Sequence, residues 1–160
     1  MRPRLVSLVG RSPGTLHTVL CLLRRQGLQP GRVDIVATSA ESASRAEQLA
    51  RSCPCPDGLP ALPRGTPAAH HVLPYGDVDT PERLRGFRRL VARLVEPGGL
   101  LDATGGRKVM SIAAAIEAAQ KGATVLIAHI PWSSYLEKAR ATGDPCAATA
   151  RPGEATLLRL

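Results

Sequence analysis

The chain has 160 residues, 44% of them hydrophobic and 21% charged, which is enough to bury one proper core and too few for that core plus a fused effector. Its formal net charge of +8 favours encounter with a polyanion, while an aromatic content of 2% excludes the stacking platforms that hold long single strands. No stretch has the apolar length needed to span a bilayer, and Met1-Arg2-Pro3-Arg4 leads into a strand pattern and not a signal peptide, so a soluble, cytoplasmic single domain over 1–160 is expected.

Leu5 to Val9 reads as a short buried strand, followed by Gly10-Arg11-Ser12-Pro13-Gly14-Thr15 and a helix with Leu16, Val19, Leu20 and Leu23 at helical spacing. Ser12 before Pro13 has the order of an N-cap and a first helical residue, an arrangement that serves equally as a plain cap or as a ligand-facing helix start. Gly27 ends that helix, Val33 to Ala37 forms the next strand, and Glu41 to Arg51 a helix with small residues inward. Residues 52–67, with five prolines, read as a surface excursion without regular structure.

His70 to Tyr75 is the third predicted strand; successive strand residues face opposite sides, so His70 and His71 cannot converge on one metal and are read as structural. Thr80 caps a helix with Pro81 at its first position and Leu84, Phe87, Leu90, Val91 and Leu94 as its buried stripe. Its five arginines spread round the remaining flank, which favours a solvated surface over a nucleic-acid face. Cys53-Pro54-Cys55 is too tightly spaced for the usual zinc pairs and has no matching second pair, so Cys21, Cys53, Cys55 and Cys146 are expected to be free thiols. A disulfide to Cys146 would imply a hyperthermophilic source.

The chain is organised around Asp102-Ala103-Thr104-Gly105-Gly106-Arg107-Lys108-Val109-Met110-Ser111. It follows the apolar run Gly99-Leu100-Leu101, read as a parallel strand, and precedes a helix patterned by Val109, Ile112, Ala113, Ile116 and Ala119. Open α/β sheets place their ligands at such junctions. Paired glycines leave backbone N–H groups uncovered beside the positive end of a helix, which makes an anion-binding corner; taken alone, they also fit an ordinary strand-to-helix turn. Only three of the 21 basic residues are Lys, so Lys108 stands out, although so Arg-rich a composition also fits GC-rich coding. Ala123 to Ile130 is a further central strand, and His129-Ile130-Pro131-Trp132-Ser133-Ser134-Tyr135 leaves it at the carboxyl edge, where Trp132 could stack on a base, form a dimer contact or cover the site. Residues 140–153 read as loop, and Ala155 to Leu160 as an edge strand. The alternation predicts a doubly wound, Rossmann-like α/β fold with a mostly parallel sheet of five or six strands.

The string from Asp102 to Met110 resembles the signature at the fourth strand-to-helix junction of CARF domains, the CRISPR-associated Rossmann-like ligand-binding domains, and the Gly-x-Ser-Pro-like loop at Gly10–Pro13 resembles the one after their first strand. The Arg-Lys pair after Gly-Gly is most similar to stand-alone ring nucleases. The likeness implies a homodimer around a cyclic oligoadenylate, cyclic tetra-adenylate for preference, with no cofactor, no metal, no membrane and no long nucleic acid as partner. It implies Lys108 and Ser12 as catalytic residues and Arg11, Gly14, Thr104, Gly105, Gly106, Arg107, Met110 and Trp132 as ligand-binding ones. An RNA ring carries its own nucleophile in the ribose 2′-hydroxyl, so positioning and charge stabilisation suffice for cleavage to a 2′,3′-cyclic phosphate. A non-catalytic sensor of the same ring is the alternative. A generic nucleotide-binding protein fits less well, since neither Gly-x-Gly-x-x-Gly nor Gly-x-x-x-x-Gly-Lys-Ser/Thr occurs.

Overall fold

A computed structural model describes residues 1–131, 133, 145, 146 and 154–160. The elements run β1 (Arg4–Val9), α1 (Gly14–Arg25), β2 (Arg32–Ala37), α2 (Ala40–Ser52), β3 (Ala68–Val72), α3 (Pro81–Leu94), β4 (Leu100–Asp102), α4 (Lys108–Gln120), β5 (Thr124–His129) and β6 (Thr156–Arg159). The six strands form one sheet in the order β3-β2-β1-β4-β5-β6. All neighbours are parallel except β5 and β6, which run antiparallel. This is the doubly wound α/β fold that strand–helix alternation predicts.

Period-two alternation sorts the strand residues between two cores. Leu5 and Val9 of β1 join Val33, Ile35 and Ala37 of β2 beneath α1 and α2. Val6, Leu8, Val36 and Leu101 face the other way, onto Phe87 and Val91 of α3 and Met110, Ala113 and Ala114 of α4. The strand order reverses direction at β1, whose two neighbours are β2 and β4, so the helices that follow β1 and β4 depart on opposite faces and leave a crevice between them. Among the described residues no helix is long and apolar enough to cross a membrane.

Several expectations change. Third-strand pairing covers Ala68–Val72 rather than His70 to Tyr75. Residues 52–67 are partly ordered by hydrogen bonds: Pro54 and Pro60 form an antiparallel bridge, and Arg51 donates to the carbonyls of Pro63 and Thr66. Leu62 enters the core there. Apart from Ala113, the α4 stripe is also reversed. Small residues with Met110 and Glu117 face inward, while Val109, Ile112 and Ile116 are 38%, 61% and 47% exposed.

The cysteines are not free thiols. Cys21 pairs with Cys55 and Cys53 with Cys146, because the α1–α2 contact and the turn after α2 bring their backbones to disulfide distance, Cα–Cα 5.5 and 5.4 Å. His17 Nε2 lies 3.5 Å from Cys21 Sγ, but sulfurs spent in a disulfide are not thiolate ligands.

The two histidines do diverge as alternation requires: His70 Nε2 meets Glu47 at 2.6 Å and His71 Nε2 meets Asp34 at 2.8 Å. Asp34 is fully buried in β2. Burial by itself pushes its carboxyl up, yet hydrogen bonds from Arg4, Arg32 and His71 outweigh that and hold it at about 2.

Candidate anion-binding cleft

The loops after β1 and β4 interlock at the crevice. A Cβ on Gly105 would lie 2.2 Å from the Leu8 carbonyl oxygen, and one on Gly10 would lie 2.9 Å from the Gly106 nitrogen. Gly106 has φ +82°, a backbone conformation that side chains oppose. Close backbone approach, and not flexibility, is what these glycines supply.

Buried polar groups then fix the second loop. Asp102, fully buried, accepts the Ser7 hydroxyl at 2.6 Å and the Thr104 N–H at 2.9 Å. Desolvation raises the Asp102 carboxyl above its ordinary value, and these hydrogen bonds offset only part of that. Thr104 Oγ1 accepts the N–H of Ala128 in β5 at 2.8 Å, and Ser111 Oγ donates to the Gly105 carbonyl at 3.0 Å. The loop is thus tied to β1, to β5 and to its own helix.

Above the loops lies a cleft of about 1000 Å³, at the upper end of small-ligand pockets, about 300–1,000 Å³. Arg11, Ser12, Thr104, Gly105, Gly106 and Arg107 all line it. Ser12 is not the side-chain cap that its sequence suggests. Pro13 takes the N-cap position with φ −68° and ψ −17°, so α1 starts one residue later and makes no side-chain cap bond. The Ser12 carbonyl instead accepts both N–H and Oγ1–H of Thr15. Arg107 is the N-cap of α4, again without a side-chain cap bond.

The other sequence candidates fall elsewhere. Met110 is fully buried and packs in the core beneath α4, so it is a core residue and not a ligand contact. Gly14 is buried at the first turn of α1 and absent from the cleft wall. Lys108 is exposed at the start of α4, outside the wall of the single-chain cleft. Trp132 lies outside the described residues.

The cleft also holds residues that the sequence reading does not assign: Thr38 at the end of β2, Asp77 in the β3–α3 connection, and His129 and Ile130 at the end of β5. The rule that ligands meet the carboxyl ends of parallel strands covers all of them, and applied to every junction it would have found them.

Fold and site together define a Rossmann-like ligand-binding protein whose anion-binding cleft lies at the topological switch point of its sheet. No family model matches the chain. Over 135 residues it is 31% identical to a CRISPR system ring nuclease of Saccharolobus solfataricus, an alignment covering 82% of this chain and 74% of that protein. The chain belongs to that family, the CARF-domain ring nucleases. Two solved structures share the fold at low identity. Can2 from Sulfobacillus thermosulfidooxidans, in complex with cyclic tetra-adenylate, superposes with a TM-score of 0.55 at 19% identity over 83% of this chain. Enterococcus italicus Csm6, bound to cyclic hexa-2′-fluoro-hexa-dAMP, gives 0.52 at 11% identity over 82%. The chain spans only 33% and 34% of those two longer chains.

Proposed function

We propose that this protein is a ring nuclease acting in CRISPR signalling: it binds a cyclic oligoadenylate, cyclic tetra-adenylate for preference, and cleaves it without a metal. One observation carries the reading. The two interlocked loops bring Arg11, Ser12, Gly105, Gly106 and Arg107 to one cleft, where uncapped helix starts favour phosphate.

In the reaction the 2′-hydroxyl of one ribose attacks the adjoining phosphorus. The 2′-oxygen–phosphorus bond forms, the bond from phosphorus to the 5′-oxygen breaks, the 2′-hydroxyl gives up its proton, and the leaving 5′-oxygen takes one up. The products are a 2′,3′-cyclic phosphate and a 5′-hydroxyl. Arg107 grips a neighbouring phosphate, Ser12 holds a non-bridging oxygen or the 2′-hydroxyl, and Lys108 offsets the negative charge that grows in the transition state.

Lys108 reaches that position if two copies share the ring. It lies one helical turn from Ile112 on the outward face of α4, with Val109 and Ile116 beside them. Exposed apolar residues in a row on a helix favour a partner helix. A second copy against this face would set both Lys108 side chains at the seam of one shared cleft, an isologous arrangement suited to a ring of even size. On this reading residues 1–160 act as one CARF-like unit in the cytoplasm, with neither membrane nor long nucleic acid as partner.

Incubation of the purified protein with each ring in EDTA, with products resolved by chromatography, tests the activity. Lys108→Ala should slow single-turnover cleavage about 10²- to 10³-fold, while ring binding weakens less. Arg107→Ala should show the reverse balance. The second reading, a sensor that binds without cutting, is favoured by the position of Lys108 outside the single-chain wall. Tight binding with an intact ring after many hours would establish it, and loss of cleavage in EDTA with recovery in manganese would refute the 2′-hydroxyl route.

A further inference from the structure

The cleft built for phosphate contains a carboxylate. Asp77 is the sole acidic residue among those described in its wall, and it comes from the β3–α3 connection, which sequence comparison of the two glycine loops does not reach. Its Oδ2 lies 2.9 Å from Nε of Arg107. A negative charge there opposes an anionic ligand, so its presence needs another account.

The two partners are held very differently. The turn that carries Asp77 is fixed from several sides: its Oδ1 accepts the Val78 N–H at 2.8 Å, its own N–H donates to the Tyr75 carbonyl, and Val78 is buried in the core. Gly76, with φ +72°, makes the sharp turn just before it. Tyr75 is anchored in turn by its hydroxyl, which donates to the Arg83 carbonyl of α3. Arg107 has no such support. Its side chain is 62% exposed, against 31% for Asp77, it stands at the positive end of α4, and Lys108 follows it. Helix dipole and neighbouring charge both push the guanidinium away from the cleft mouth.

The geometry points to Asp77 as the positioning residue for Arg107. Paired with Nε at 2.9 Å, the carboxylate holds the guanidinium at the cleft mouth and leaves its other N–H groups for a phosphate, which such a fork binds bidentately. The rigid β3–α3 turn thereby aims a side chain that belongs to α4. This deepens the ring-nuclease reading and rests on it for the identity of the ligand; the pairing itself does not.

A double-mutant cycle decides the matter. Binding of a cyclic tetra-adenylate carrying 2′-fluoro groups, which removes the nucleophile, is measured for wild type, Asp77→Ala, Arg107→Ala and the double variant at one ionic strength. Asp77→Ala should weaken binding about tenfold, the scale set by leaving one rotamer-rich side chain to be ordered by the ligand. In the Arg107→Ala background the same change should be less than about twofold, and Asp77→Glu should recover most of the loss. Tighter or unchanged binding in Asp77→Ala overturns the proposal, as does an equal loss in both backgrounds, which a merely structural role would give. If wild type binds no ring, the ring-nuclease reading fails on its own account. The pairing is then judged by NMR: the Arg107 side chain should hold one rotamer in wild type and average over several in Asp77→Ala, and failure of either overturns the inference.

Discussion

Gly105→Ala tests the interlocked loops most directly. The added Cβ would sit 2.2 Å from the Leu8 carbonyl oxygen, 3.2 Å from its carbon and 3.3 Å from Thr15 Oγ1. Leu8 belongs to β1, which is hydrogen-bonded on both sides to β2 and β4, so the strand cannot yield and the loop must retreat by roughly 1 Å. Such a shift takes the Ser111–Gly105 bond and the two bonds at Thr104, now 2.8–3.0 Å, to or beyond hydrogen-bonding range. Overpacking at about 1–3 kcal/mol and three weakened hydrogen bonds at about 1 kcal/mol each give a loss of roughly 4–6 kcal/mol. Misplacement of the Gly105 and Gly106 amides by that distance should also slow cleavage about a hundredfold in molecules that remain folded. Urea unfolding of wild type and variant measures the first, single-turnover kinetics the second. Gly65→Ala is the control: a Cβ there would meet nothing within 4 Å and the backbone is not in the left-handed region, so stability should stay within about 0.5 kcal/mol. A Gly105→Ala protein as stable and active as wild type would refute the close-approach argument.

Reducing the disulfides should lower the unfolding temperature markedly, since closing loops with sequence separations of 34 and 93 residues restricts the unfolded chain by about 3.8 and 4.6 kcal/mol in the chain-entropy model; calorimetry with and without a dithiol measures this, and equal midpoints would count against both bonds. Asp34, held at about 2 by Arg4, Arg32 and His71 against the pull of burial, contributes stability that is present above the ordinary carboxylate range and is lost as pH falls from about 4 towards 2. Asp34→Asn should therefore flatten the acid limb of the stability curve, an outcome read by urea titration at several pH values. Asp102 has the opposite sign: its carboxyl is raised by burial, so its contribution is fullest at low pH and declines as pH rises through the folded value. The stability of Asp102→Asn relative to wild type should accordingly grow with pH, and a constant difference would refute that assignment. Ile112→Glu on the exposed face of α4 should give monomers by light scattering while leaving the fold intact by circular dichroism.

The glycine loop is legible in the sequence as a strand-to-helix turn, whereas the approach of Gly105 to the Leu8 carbonyl, which only a residue without Cβ allows, is a tertiary demand. The strands are legible because burial on both faces leaves nearly continuous apolar runs, Leu5–Val9 and Val33–Ala37, each broken by one buried polar residue, Ser7 and Asp34. What sequence misses depends on tertiary placement. Periodicity finds a stripe on α4 but not which side the core takes; the small inner residues let α4 pack closely, and this leaves Ile112 and Ile116 outside. The place of Met110 in a motif suggests a ligand contact, yet one turn into a helix a side chain points back under the loop, into the core. Disulfide pairing depends on the approach of α1 to the turn at 53–55, which spacing alone does not encode. Asp77 meets Arg107 only because β3 and β4 lie in one sheet and their connections open on the same edge.

Among the described residues, α1 to α4 differ in how their starts are satisfied. The helices α2 and α3 each begin with a side-chain cap, Ser39 and Thr80, and each carries an acid in its first turn, Glu41 and Glu82. Those are the choices that satisfy a helix start from within the chain. In contrast, α1 and α4 have neither a side-chain cap bond nor an acid in the first turn, and Arg107 and Lys108 place positive charge where the dipole disfavours it. A helix start left uncapped and surrounded by cations sacrifices stability that an anion can restore. Both such starts flank the crevice between β1 and β4, on opposite faces of the sheet. Among the described helices the two exceptions to ordinary helix chemistry thus coincide with the switch point where the topology opens a cleft, and the proposed phosphate-bearing ligand would account for both.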